Sequence, residues 1–222
     1  MQNKTKNLKR NSQLIQIGFL LILAGLFFVG YQFFYAHKIK AQQTMNQKIF
    51  EATKTDEKKE QAEIETKNVT GNNGATSHNT TKEKIAYQYI GMLSISKINL
   101  KQGFVDKNDP GNNIEENVTI LPSSSYPDQE KGNLILAAHS GTGGIAYFNR
   151  LYQLKESDTI DVEYKNMRYT YEIVKIYEQE KTGKVDIYRD INKSTITLIT
   201  CTNNNDKTQT IYIGNLISKT AA

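Results

Sequence analysis

The 222-residue chain contains one cysteine, Cys201, which closes the run "STITLITC" just before the polar stretch "TNNND". A single thiol cannot form an internal disulfide, and one cysteine with three scattered histidines gives no metal-ligand spacing. No metal or cofactor is therefore expected. Taken alone, a free cysteine at a strand end is a small buried hydrophobe. Here the strand-like run stops at a polar loop, which leaves the thiol accessible enough to react once its thiolate is stabilised. The second half of the chain offers one histidine, His139, which ends the run "NLILAAH" and is followed by the glycine-bearing "SGTGG". By itself His139 reads equally well as a structural histidine. The two residues share a context of apolar strand, polar side chain and flexible loop. If their strands are neighbours they meet at one rim, where a Cys–His pair supplies a thiolate and a proton donor for a departing amine.

The elements that must position them are β-like. From Ile85 onward, "YQYIGMLSIS", "NLILAA", "TIDVEY", "RYTYEIVKIYE", "STITLITC" and "QTIYIGNLI" are short, partly alternating and rich in β-branched and aromatic residues. Pro110, Pro122 and Pro127 all fall in one connection, as expected of a loop. The one good helical candidate in this region is short, at 145–154. The pattern is that of an all-β barrel or sandwich with small helical insertions. No internal repeat is evident.

The front of the chain differs in kind. Residues 14–36 carry no charge and are long enough to cross a bilayer core as a helix, and Lys4, Lys6, Lys9 and Arg10 precede them. This reads as an uncleaved anchor with a cytoplasmic basic segment at 1–13. The apolar run exceeds a signal-peptide core, and no A-x-A-like site follows. Residues 37–84 are polar, rich in Lys, Glu, Asn and Thr, and too poor in large apolar residues to offset chain entropy. They read as a tether whose first part can extend the membrane helix, leaving 85–222 as the folded domain outside the cell. Residues 1–86 hold 13 Lys/Arg against 7 Asp/Glu, a net of +6, whereas 87–222 hold 15 against 16, a net of −1. The basicity thus belongs to the front, and the domain has no basic stripe for nucleic acid.

The segments "TLITC" at 197–201 and "GNLILAAHSGTGGIAYFNRLYQL" at 132–154 closely resemble the sortases, membrane-anchored cysteine transpeptidases of Gram-positive bacteria. "IGMLSISKINL" at 90–100 is similar to the family's first strand, and the basic-then-hydrophobic N-terminus matches its usual anchor. The likeness covers roughly 87–217. It implies a closed eight-stranded β-barrel with short helical insertions, preceded by one transmembrane helix. It also implies that Cys201 attacks an LPxTG-like sorting signal of a secreted protein and that His139 protonates the leaving amine. An amine of a cell-wall precursor or pilin then releases the acyl group. By the same analogy Thr200 and Ser140 help to position substrate.

One position departs from the family. Sortases use an arginine on the strand after the cysteine loop to stabilise the oxyanion, and aligning on "IYIGNL" puts Gln209 there. Gln209 donates hydrogen bonds but carries no charge. Lys207 lies two residues away, on the same face of an extended strand, and brings charge without a planar fork. Three readings stay open: a neutral donor at Gln209, substitution by Lys207, or weakened activity. The order His139 before Cys201 disfavours papain-like proteases. Other hydrolytic cysteine proteases and a non-enzymatic module that binds surface proteins remain as alternatives.

Overall fold

The β-branched runs form eight strands in a computed structural model, which describes residues 17–31, 34, 44–51 and 88–222. The strands are β1 (Gly91–Ile95), β2 (Leu100–Phe104), β3 (Thr119–Ile120), β4 (Asn133–Ala137), β5 (Thr159–Tyr164), β6 (Met167–Glu180), β7 (Thr195–Thr202) and β8 (Asn205–Ala221). They make one sheet in the order β2-β1-β5-β6-β8-β7-β4-β3. The sheet curls into a nearly closed barrel, with β2 and β3 at its two edges. Six of the seven pairings are antiparallel; β4 and β7 run parallel.

The reason for the parallel pair lies in composition. "NLILA" and "TITLIT" are nearly continuous apolar or β-branched runs, as strands buried on both faces must be. Alternation then sorts their side chains. Leu134 and Leu136 of β4 and Ile196 and Leu198 of β7 enter the barrel interior. Ile135, Ala137 and Ile199 point the other way and join Ile211 and Ile213 of β8 in a second cluster on the outer face. Val185, Ile187, Ile114 and Leu121, from connections outside the barrel, pack over that second cluster.

The helix expected at 145–154 is reduced to a single 3-10 turn at Leu151–Gln153. Phe148, Leu151 and Leu154 are all buried, and a spacing of three matches the 3.0-residue turn of a 3-10 helix rather than the 3.6 of an α-helix. A second 3-10 turn, Ser96–Ile98, links β1 to β2.

Residues 44–51 form a helix within the same unit as the barrel. Phe50 packs on Tyr89, Met92 and Val105, and the Glu51 carboxylate lies 2.8 Å from Lys101 Nζ. A separate helix at 17–31 belongs to the first unit; it holds no charged residue, and its large apolar side chains are exposed. Among the described residues no helix is long and apolar enough to cross a membrane. The basic segment 1–13, the ends of the expected anchor at 14–16, 32–33 and 35–36, the tether apart from 44–51, and residues 85–87 lie outside the described residues.

Two glycines let β1 and β2 carry large rings across their hairpin. A Cβ on Gly91 would sit 2.2 Å from the ring of fully buried Phe104, its cross-strand partner. A Cβ on Gly103 would sit 2.1 Å from the ring of Tyr89. Both rings are buried. Gly91→Ala is therefore expected to lower unfolding free energy by about 1–3 kcal/mol, the usual cost of overpacking, as measured by urea titration.

Candidate active site

The parallel ladder of β4 and β7 runs from Asn133 opposite Thr195 to Ala137 opposite Ile199. Beyond the last paired residues the two chains stay stitched together. Ala138 N donates to Ile199 O at 3.3 Å, Thr200 Oγ1 donates to Ala138 O at 2.9 Å, and Ser140 Oγ donates to Cys201 O at 2.9 Å. Continuing the register by two residues brings His139 level with Cys201. Continuing the alternation from Ala137 and Ile199 sends both side chains to the outer face, at the end of the second apolar cluster. Cys201 is half-buried, and the His139 side chain is 33% exposed. The two residues thus stand on the outside of the barrel at the ends of two strands.

Thr200 and Ser140 occupy different places from those two. The Thr200 side chain is buried, and its hydroxyl is engaged by the Ala138 carbonyl. The Ser140 hydroxyl is engaged by the carbonyl of Cys201 itself. Both close the β4–β7 seam on which the thiol and the imidazole stand.

Gln209 is the residue directly opposite Cys201 across the β7–β8 ladder. It is also paired with Gln179 on its other side. Both glutamine amides reach the same carbonyl: Gln179 Nε2 donates to Lys184 O at 3.0 Å and Gln209 Nε2 donates to it at 3.3 Å. Gln179 Oε1 in turn accepts Asp186 N at 3.2 Å. These bonds pin the 181–194 connection beside the cysteine, with Val185 and Ile187 seated on the outer cluster. One N–H of the Gln209 amide remains for another acceptor. Lys207 is exposed; its backbone carbonyl accepts Lys181 N at 3.0 Å and its N–H donates to Asn205 Oδ1 at 3.1 Å. The arginines of the domain are engaged elsewhere. Arg150 reaches Ile98 O, Arg168 pairs with Glu163 at 2.8 Å, and Arg189 reaches the carbonyls of Lys131 and Lys193.

The imidazole has a partner for which the sequence carries no signal. His139 Nε2 lies 3.1 Å from Glu115 Oε1, although 24 residues separate them. Glu115 sits on the 105–118 connection, which is held at several points. Asn112 bonds Lys107 O and both backbone groups of Ile120, and buried Asn117 donates to Gly111 O at 2.9 Å. At the start of the connection Tyr126 OH donates to Asp106 Oδ2 at 2.5 Å, and Asn108 N donates to Asp106 Oδ1 at 2.9 Å. These hydrogen bonds, that of Tyr126 first, hold the Asp106 carboxyl below the usual carboxylate range. Burial, reinforced by Asp106, pushes the Tyr126 phenol up to about 12. Among the described residues no three His, Cys, Asp or Glu side chains gather as a metal-holding group.

Comparison with known proteins decides the family. The Sortase domain model matches residues 93–219. The chain belongs to the sortase family. It is 30% identical over 192 residues to the sortase D of Bacillus subtilis, covering 83% of this chain and 87% of the relative. It is 24% identical over 207 residues to the sortase A of Bacillus anthracis, covering 92% and 95%. A Clostridium perfringens sortase D5 transpeptidase has the same fold, with a TM-score of 0.57 and 20% identity over 80% of this chain and 99% of that one. This sortase is accordingly a cysteine transpeptidase with the family's eight-stranded barrel.

Two outcomes test how the sortase site is held. Thr200→Val removes the hydroxyl that stitches β7 to Ala138 and is expected to cost about 1 kcal/mol in urea unfolding. Tyr126→Phe keeps the ring but releases Asp106, whose carboxyl moves back toward its ordinary value. A depressed carboxyl stabilises the fold above its unfolded pKa and loses that effect as pH falls through the folded value. The variant is therefore expected to be less stable than the parent near pH 6, with the two curves converging below about pH 4.

Proposed function

We propose that Cys201 is the nucleophile and His139 the acid–base of a sortase that cleaves an LPxTG-like sorting signal and transfers it to an amine. The observation that carries this reading is the parallel register of β4 and β7, which pairs Ala137 with Ile199 and, continued by two residues, brings His139 level with Cys201. In the first step the Cys201 thiolate attacks the carbonyl carbon of the Thr–Gly bond. The C–N bond breaks with its electron pair on nitrogen, His139 gives a proton to that nitrogen, and a thioester remains. In the second step an acceptor amine attacks the thioester, His139 takes its proton, and the C–S bond breaks with the electrons returning to sulfur.

The acceptor is an amine of a cell-wall precursor or a pilin. Gln209, opposite Cys201, supplies a neutral hydrogen bond to the developing oxyanion through its unengaged N–H, as side-chain amides do in other oxyanion holes. Lys207, two residues toward the loop, is the alternative source and would bring charge. Thr200 and Ser140 support substrate positioning through the seam that they hold. The enzyme acts at the cell membrane, with residues 14–36 as a single-pass anchor, 1–13 cytoplasmic and the barrel outside. The uncharged helix at 17–31, with its large apolar side chains exposed, supports the anchor.

The test is mass spectrometry of the protein mixed with a panel of LPxTG-like peptides, with and without hydroxylamine. The parent is expected to carry an acyl adduct on Cys201 that hydroxylamine releases as a hydroxamate. Cys201→Ala is expected to carry none. Gln209→Ala is expected to lower kcat by about 10²-fold if the amide is the oxyanion donor. A loss confined to Lys207→Ala would move that role to the lysine. Product released to water even with the amine in excess would make the enzyme a hydrolase.

A further inference from the structure

We infer that Glu115 is a positioning residue of the transfer reaction: its carboxylate holds the Nε2 side of His139 and so assigns Nδ1 as the ring nitrogen that serves Cys201 and the leaving amine. The inference deepens the proposed roles of Cys201 and His139 and rests on them.

The distance fixes the donor. An ionised carboxylate only accepts hydrogen bonds, so the 3.1 Å contact from Glu115 Oε1 requires the proton on Nε2. A neutral imidazole carries one N–H; with that hydrogen on Nε2, the lone pair of Nδ1 faces away from Glu115. In the cationic ring Nε2–H keeps the same acceptor, and Nδ1–H is the proton available for transfer. Glu115 thus serves both protonation states without exchanging a proton itself.

The placement of Glu115 is built rather than incidental. Asn113 Oδ1 accepts Glu115 N at 3.1 Å, and Asn113 O accepts both Glu116 N and Asn117 N, at 3.0 and 2.8 Å. Tyr147 OH donates to Glu116 O at 2.8 Å, which ties this turn to the loop that follows His139. Phe148 N donates to His139 O at 3.0 Å, which fixes the other end of that loop. The backbone of the turn that carries Glu115 and that of the loop after His139 are therefore each fixed by hydrogen bonds. The carboxylate itself is 66% exposed, so its attraction to the ring is screened and adds little stability. Orientation is what such a contact can supply. The Glu115 carboxylate from the 105–118 connection lies against the imidazole, the register of β4 and β7 brings Cys201 level with it, and neutral Gln209 stands opposite Cys201.

In the chemistry this places each proton. During acylation the Sγ–C bond forms, the C–N bond breaks, and the Nδ1 proton passes to the departing nitrogen. During transfer Nδ1 takes the proton of the attacking amine while the S–C bond breaks. Nε2–H stays on Glu115 throughout, so the ring does not turn between steps.

The experiment is nitrogen-15 NMR of the full chain labelled in histidine, with His139→Gln to identify the signal, alongside kinetics of peptide transfer. The parent is expected to show the Nε2–H tautomer at His139, and Glu115→Ala a mixture of tautomers. The same variant is expected to lose roughly ten- to hundredfold in kcat with KM within about twofold, as a misoriented reacting group does. Its thermal midpoint is expected to stay unchanged, and Glu115→Asp to regain part of kcat. An Nδ1–H tautomer in the parent, or a tautomer unaltered in Glu115→Ala, would overturn the inference. So would a kcat loss that tracks a lowered midpoint with no rescue by aspartate. Absence of a Cys201 adduct in the parent counts against the proposed nucleophile, whereas the NMR reading still decides Glu115.

Discussion

The site depends on the parallel pairing of β4 with β7. Both strands are buried on both faces, so their side chains are sorted between the barrel interior and the outer cluster with little tolerance for error. A slip of one residue would swap every side chain to the opposite face. Leu134 and Ile196 could not take the places of Ile135 and Thr197 without opening both clusters. The apolar packing therefore sets the register, and the register sets where His139 and Cys201 emerge. The hydroxyls of Thr200 and Ser140 extend that order past the last ladder bonds, to His139 and Cys201.

The barrel interior is packed with large side chains. Tyr169, Tyr171, Phe104 and Phe148 are all fully buried there. The outer cluster is smaller and is covered by two connections rather than by a second sheet. The 181–194 connection lies on one side, held by Gln179 and Gln209, and the 105–118 connection on the other, held by Asn112, Asn117 and Asp106. Connections of this kind can vary while the strands beneath them keep the geometry of the thiol and the imidazole.

The electrostatics of the site follow from the same arrangement. The residue opposite Cys201 carries a neutral amide, and the hydrogen-bond partner of the imidazole is a carboxylate from a loop. The arginines of the domain stay at the periphery, bound to carbonyls and to Glu163.

Strands β1, β4, β5, β6, β7 and β8 were legible in the sequence because a buried strand must be apolar or alternate, and these are. The two short strands were not: "LKQGF" carries a lysine, a glutamine and a glycine, and "TI" is too brief to show a period. The apolar spacing at 145–154 suggested a helix, yet Phe148, Leu151 and Leu154 are buried by turns that the spacing of three suits as well. Cys201 and His139 stood out from residue type and shared context alone, both properties of short stretches. Their level placement, the position of Gln209 opposite Cys201 and the reach of Glu115 to Nε2 relate residues 8 to 62 positions apart. Such contacts exist only once packing has chosen a strand order and a register. Local composition decided which segments become strands and which side chains can react; only the assembled sheet decided which of them meet.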